Sequence, residues 1–266
     1  MLKFYYNTGP NPMKIALCLE EMGLEYEAIP VDTRKGEQHT SSYLAINPNA
    51  KAPSIVDNGN VVFDSNAILL YLAEKTGKFI TNDNAKSRAD LLSWLMFVAT
   101  GIGPYSGQSV HFQHMAPEKI KYAINRYVYE AERHYDILDN RLAQNKFMLG
   151  NTYTIVDMCV WGWARMLPKV IGEGELEKRT NLNRLMTEIN NRPASQRAIK
   201  INVSNNHDFK VEIVSKSTGG KGGGGAYLSP FGKEMLKRYL LIEKKAAESI
   251  VDDLVWFENQ LRSKTN

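Results

Sequence analysis

The sequence predicts a mixed α/β domain followed by an all-α domain, with a short tail of different character behind them. Three observations carry this. Residues 1–77 alternate strand-length and helix-length apolar segments. Residues 84–200 hold helical periodicity and little strand signal. From 201 onward a polar stretch gives way to strand-like KVEIVS and then to the run TGGKGGGG at 218–225. At 266 residues the chain has length for two hydrophobic cores.

Each element has a local reason. LKFYY at the start alternates as a strand. Residues 12–22 form a helix: Pro12 fits its first turn, Ile15, Leu19 and Met22 share a face, and Gly23 stops it. Residues 26–32 are strand-like. Residues 53–57 and 61–63 flank Asn58-Gly59, whose positive φ angles suit a type I′ turn, so they form a hairpin. A helix over 65–76 is capped by Ser65 and ended by Gly77. The order is βαβ–ββα, the thioredoxin-like order. Helices are then expected over 84–102, 117–144, 154–167 and 181–191. Thr154 and Asp157 form a capping box, and Arg192-Pro193 stops one helix and starts another. In the tail, residues 210–215 read as a strand and Ser229-Pro230 as a helix start. Apolar steps of three and four from Met235 to Leu261 predict one long helix. The expected division is a thioredoxin-like domain at 1–80, a helical domain at 84–200, a linker at 201–209 and a tail at 210–266.

Composition narrows the class. Hydrophobic content of 43% and charged content of 23% are those of an ordinary globular protein. No run is apolar and long enough for a membrane helix. Met1 leads straight into the first strand pattern, so no signal peptide is expected. Cys18 and Cys159 lie far apart in helical patterns, which predicts two inert buried thiols and a cytoplasmic protein. The net charge of +4 is concentrated behind residue 209, where ten Lys/Arg face seven Asp/Glu. That excess is too mild to argue for nucleic acid by itself.

The candidate ligand site lies around the hairpin. Proline cannot donate to a ladder, so Pro53 at a strand start marks an edge or a cis turn. A cis bond would aim the backbone of Ala52 outward, where a peptide ligand can pair with it. Asp64 and Ser65 stand at a helix N-terminus. An acid beside free backbone N–H groups suits a ligand end that carries both an ammonium and a carboxylate.

Several ordered motifs then make a specific match. NPNAKAPSIVD, FDSNAILLYLAEKTG and TIVDM resemble the cytosolic glutathione transferase family. The head TGPNPMKI, the pairs Gly103-Pro104 and Gly107-Gln108, the run HFQHMAP from His111 and AINRY from Ala123 resemble its nu class. The resemblance covers about three quarters of the chain. It implies a thioredoxin-like domain, a transferase-type helical domain, a homodimer, and glutathione as co-substrate without a metal.

The implied site follows residue by residue. Asn11 orients the glutathione sulfur. Thr8 is the second candidate, because Gly9 holds the place where that class carries threonine. Ala52 and Pro53 dock the cysteinyl backbone, and Asp64 and Ser65 hold the γ-glutamyl end. Gln38 and Lys51 reach the glycyl end, and Arg126 pairs with a glutathione carboxylate. Gln108, His111 and His114 line the second-substrate cleft. The two histidines lack a third ligand at metal spacing. Without the family, Asn11 reads as a helix cap, and Tyr6 is a rival thiol activator that more simply packs in the sheet.

The implied activity is glutathione-dependent disulfide reduction, with conjugation of electrophiles second. The alternatives are a non-catalytic binding protein of this fold, or a DNA-associated regulator. The second alternative arises because residues 210–260 resemble the wing and long helix of molybdate-responsive ModE-type regulators. The glycine run lacks phosphate-loop spacing, and no recognition helix precedes it, so tight sequence-specific DNA binding is not expected.

Overall fold

Strand β1 (Leu2–Tyr6) forms the spine of a four-stranded sheet ordered β2-β1-β3-β4, in the computed structural model that is the structure of this chain. It pairs parallel with β2 (Tyr26–Pro30) and antiparallel with β3 (Ser54–Asp57), which pairs antiparallel with β4 (Asn60–Phe63). Positive φ at Asn58 and Gly59 closes the β3–β4 turn as the Asn-Gly pair requires. Helix α1 (Pro10–Met22) crosses between the parallel strands, since a parallel pair needs such a crossover. After the short α2 (Ser41–Leu44) and the hairpin, α3 (Ser65–Thr76) packs back on the sheet. This is the expected thioredoxin-like half.

The structure describes residues 1–81, 84–205, 214–216, 226–228, 233, 234, 236 and 237. The chain divides into two units, Met1–Asn205 and Asn206–Asn266. In the first, the helical half follows the sheet. Helix α4 (Ala85–Phe97) runs into a π-helical turn at Val98–Ile102, then α5 (Gly103–Val110) and a second π-helical turn at His111–Met115. Then come α6 (Lys121–Ala143), α7 (Ile155–Ala164), the one-turn α8 (Leu167–Val170) and α9 (Glu175–Lys178), α10 (Thr180–Asn190) and α11 (Pro193–Asn205). Helix α7 is buried on every side, as its apolar run IVDMCVWGWA demands. It packs on α1 and joins the two halves. The approach needs Gly162, because a Cβ there would stand 2.6 Å from the Pro10 carbonyl oxygen.

Four expectations are corrected. Helix α3 is capped by Asp64, whose Oδ1 accepts from Asn66 N and Ala67 N, and Ser65 is its first helical residue. The expected 84–102 helix is α-helical only to Phe97. Residues 117–120 precede α6 and are not helical. Helix α11 runs five residues into the stretch expected as linker, and the Ile201 carbonyl accepts from Tyr6 Oη. The capping box at Thr154 and Asp157 is present as read, with Asp157 also accepting from Met148 N at 2.8 Å.

The second unit contains an antiparallel pair, β5 (Val214–Lys216) and β6 (Ala226–Leu228), in register Ser215 to Tyr227. The glycine run, the expected helix start at Ser229-Pro230 and the stepped apolar positions from Met235 to Leu261 lie outside the described residues.

Candidate active site

The first turn of α1, the first turn of α3, the π-turn after α4, and α5 and α7 enclose a cavity of about 350 Å³. That is within the range of small-molecule sites. Asn11, Lys14, Lys51, Asp64, Ser65 and Asn66 form a polar wall from the sheet half. Val98, Ala99, Gly103, Pro104, Gly107, Gln108 and Trp163 form the facing wall from the helical half, with Gln108 and the Trp163 indole N–H its polar side-chain groups.

Asn11 sits in the first turn of α1, where Gly9 rather than Asn11 is the N-cap. The cap reading of Asn11 therefore fails, and its side chain is free for other work. Its Oδ1 accepts from Ser65 Oγ at 3.3 Å and from Trp163 Nε1 at 3.0 Å. Ser65 and Trp163 thus tie the first turns of α1 and α3 to α7. The helix α1 N-terminus adds positive potential at this point.

Below Asn11 on the same helix lies Lys14, 1% exposed. Its Nζ donates to Asn66 Oδ1 at 2.5 Å and lies 3.3 Å from Cys159 Sγ. Cys159 in turn bonds Asn66 Oδ1 at 3.1 Å, and Asn66 Nδ2 donates to the Leu95 carbonyl. Burial pushes the Cys159 thiol up, and the Lys14 ammonium pulls it partly back. The polar partners of this buried cation among the described residues are thus a neutral amide and a thiol. Burial and the Glu21 carboxylate raise the Cys18 thiol as well. Both thiols are buried and protonated, as expected of inert core cysteines.

The other expected site residues divide. Asn11, Lys51, Asp64, Ser65 and Gln108 meet on the cavity. Ala52 and Pro53, joined to each other by a cis bond, follow Lys51, and the Lys51 carbonyl is fixed by Tyr43 Oη and Asn47 Nδ2. Neither Ala52 and Pro53 nor the rest line the cavity. Thr8 is exposed, one residue short of the turn that carries Asn11. Gln38 is tied to the Thr33 carbonyl. Arg126 pairs with Glu130 at 2.7 Å, one turn along α6, as an i,i+4 acid allows. His111 stacks edge-on with Phe112, and His114 Nε2 meets the Lys169 carbonyl. Tyr6 is 1% exposed and stacked on Phe4, so the rival activator packs in the sheet. Among the described residues, no three His, Cys, Asp or Glu side chains gather as metal ligands. No described helix is long and apolar enough to cross a membrane.

Sequence reasoning missed Lys14, Asn66 and Trp163. Lys14 carried a usable signal: a lysine between Met13 and Ile15 falls on the buried arc of α1. Trp163 carried none, because its partner is 152 residues away.

A thioredoxin-like half joined through its first helix to a helical half, with a polar cavity between them, defines the class. Family comparison agrees. The chain matches the glutathione S-transferase N-terminal domain over residues 1–74 and the glutathione S-transferase C-terminal domain over residues 96–193. It is 44% identical over 170 residues to the disulfide-bond oxidoreductase YfcG of Escherichia coli, spanning 61% of this chain and 79% of that protein. It is 39% identical over 220 residues to YghU of the same organism, also a disulfide-bond oxidoreductase, spanning 77% and 76%. A glutathione transferase from Burkholderia graminis, solved with two glutathione molecules per subunit, superposes with a TM-score of 0.71 at 34% identity, over 75% of this chain and 88% of its own. The chain belongs to the glutathione S-transferase family.

Proposed function

We propose that this protein is a glutathione-dependent disulfide reductase of nu-class type. The observation that carries the reading is convergence: Asn11, Lys51, Asp64 and Ser65, expected to contact glutathione, share one cavity with Gln108, expected to face the second substrate. The relatives named as disulfide-bond oxidoreductases and the neighbour with two bound glutathiones support it.

The chemistry is two exchanges. One glutathione thiolate attacks a sulfur of the substrate disulfide. A new S–S bond forms, the old one breaks, and a substrate thiolate leaves. A second glutathione thiolate attacks the glutathione sulfur of the mixed disulfide and expels the other substrate thiolate. The products are glutathione disulfide and two thiols, each thiolate taking up a proton. Asn11 and the α1 N-terminus favour the attacking thiolate by a hydrogen bond and positive potential. Asp64 and Ser65 hold the γ-glutamyl end, and Lys51, Ala52 and Pro53 the rest of the tripeptide. Arg126, Gln38, Thr8, His111 and His114 have no role in this reading.

Steady-state assays with glutathione and a small disulfide, beside a chloro-dinitro aromatic electrophile, test it. Disulfide reduction should exceed conjugation. Asn11→Ala should cut kcat/KM for the disulfide roughly tenfold or more, the loss of one charge-assisted hydrogen bond. Disulfide turnover no faster than the uncatalysed exchange overturns the reading. A fully active Asn11→Ala enzyme removes Asn11 from it.

Three further parts of the reading stand on narrower ground. A homodimer in the cytoplasm is supported by the exposed Val61 and Phe63 on β4 and by Met96 on α4, together with the two unpaired thiols. The division into domains at 1–80 and 84–200, with a separate tail, makes residues 206–266 dispensable for catalysis. Truncation after Asn205 keeps Ile201 and should keep activity. The ModE-type likeness of the tail supports at most weak, strongly salt-dependent DNA contact.

A further inference from the structure

Asn11 is useful to a sulfur anion in only one of its two amide orientations. With Nδ2 toward the cavity it offers N–H donors to a thiolate. Flipped, it offers a carbonyl oxygen and repels the same anion. An asparagine amide ordinarily leaves this choice open. Here the neighbours fix it. Indole Nε1 is a donor only, so the Asn11 atom 3.0 Å from Trp163 Nε1 has to be the oxygen. Ser65 Oγ donates to the same oxygen from the other side at 3.3 Å. Both acceptor positions of Oδ1 are taken, and Nδ2 has no acceptor among the described residues.

The indole is itself held. Trp163 is 8% exposed on the fully buried α7. Glycines of the facing segment make room for it: a Cβ on Gly103 would come 3.3 Å from Nε1, and one on Gly107 would come 3.7 Å from the ring. The α1–α7 contact at Gly162 brings Trp163 to the first turn of α1. The donor therefore reaches Asn11 across the junction of the two halves of the subunit.

We propose that Trp163 is a positioning residue for the thiol chemistry: its indole N–H locks the Asn11 amide with its donors toward the glutathione sulfur. The proposal rests on the functional reading above. It also gives the helical domain a direct part in activating the thiol.

The test is titration of enzyme-bound glutathione by thiolate ultraviolet absorbance, with kcat/KM followed against pH. Trp163→Phe keeps an aromatic ring and removes the N–H. The bound thiol should then titrate at higher pH than in the wild type, with about a tenfold fall in kcat/KM near neutrality that shrinks as pH rises. A purely structural loss would lower kcat/KM equally at every pH. In an Asn11→Ala background the same substitution should shift the titration no further, because the group it orients is gone. Should Trp163→Phe fold poorly, Gly103→Ala presses on the indole nitrogen and should shift the titration in the same direction. An unchanged titration in both Trp163→Phe and Gly103→Ala overturns the inference while leaving the functional reading intact. Failure of the wild type to bind glutathione overturns that reading, and this inference with it.

Discussion

The two walls of the cavity are built by opposite means. The sheet-side wall is polar and assembled from short-range devices: the turn before α1, the cis-proline strand start and the Asp64 cap of α3. The helix-side wall is small and mostly apolar, and its shape depends on α7 and the α4–α5 junction packing correctly against α1. A polar wall with many fixed donors suits a ligand that never changes. A smooth wall of Val98, Ala99, Pro104 and two glycines suits a partner that varies. The difference teaches where changes should hurt binding, where they should hurt selectivity, and where they should hurt the fold.

The largest expected effect lies behind the smooth wall. Asp157 is buried, and its carboxylate accepts from Met148 N, Thr154 N and Thr154 Oγ. Asp157→Ala leaves two buried backbone donors without partners, at about 3 kcal/mol together. Denaturant melts should show that loss for the whole of residues 1–205, since α7 joins both halves. A loss confined to the helical half, with the sheet half melting as before, would break the idea that α7 couples the two walls.

Next in size is the polar wall. Among the described residues the hydrogen-bond partners of Lys14 are neutral, and a buried cation is costly until an anion meets it. Lys14→Met should weaken glutathione binding about tenfold or more, as one lost interaction with a charged group. Stability should be unchanged or higher. Calorimetry and melting on the same sample give both numbers. Unchanged affinity with a lower melting point would make Lys14 a structural residue and blunt the comparison.

The same contrast decides how much was legible in the sequence. Sheet-side features are local. Asn-Gly predicts its turn, Pro53 its strand start, Gly23 and Gly77 their stops, and the structure has each. Of the residues that meet on the cavity from that side, Asn11, Lys51, Asp64 and Ser65 were named, whereas Lys14 and Asn66, inside their helices, were not. The error there was by one residue: Asp64 at positive φ takes the cap, which releases the Ser65 hydroxyl for Asn11. Helix-side features depend on distant packing. Helical periodicity shows that a helix exists, but not that it widens into a π-turn at Val98 beside the cavity. Nor does it show that Trp163 points at Asn11. For Arg126 the structure shows a local acid, Glu130, one turn along α6, as its partner.

A smaller effect should follow on the smooth wall. A Cβ at Gly107 would meet only the Trp163 ring at 3.7 Å, an ordinary contact, so Gly107→Ala fits without strain. It narrows the side expected to face the second substrate. KM for a bulky disulfide should rise by up to about tenfold, the low end of what one methyl group is worth in a pocket. KM for glutathione should stay as it was. Equal rises for both would show that glutathione leans on this wall as well.

The smallest effect concerns a charge in the sheet half that is away from the cavity. Asp57, at the end of β3, accepts from the Lys75 ammonium and from Tyr71 Oη at 2.9 Å. The Lys75 hydrogen bond leads the causes that hold its carboxyl below the usual range, with burial working against it. A carboxyl whose folded pKa lies below its unfolded value stabilises the fold when both states are ionised. That contribution is full at neutral pH, falls as pH drops below about 4 where the unfolded chain protonates, and is gone below the folded pKa. Lys75 is 40% exposed, so solvent screening keeps the contribution below about 1 kcal/mol. Asp57→Asn should therefore lower stability slightly at neutral pH and remove part of the acid-side slope, leaving glutathione affinity unchanged. A parallel acid limb in the variant would show that the pair adds nothing. A loss of glutathione affinity would show that the division between charges on the cavity and charges off it is drawn in the wrong place.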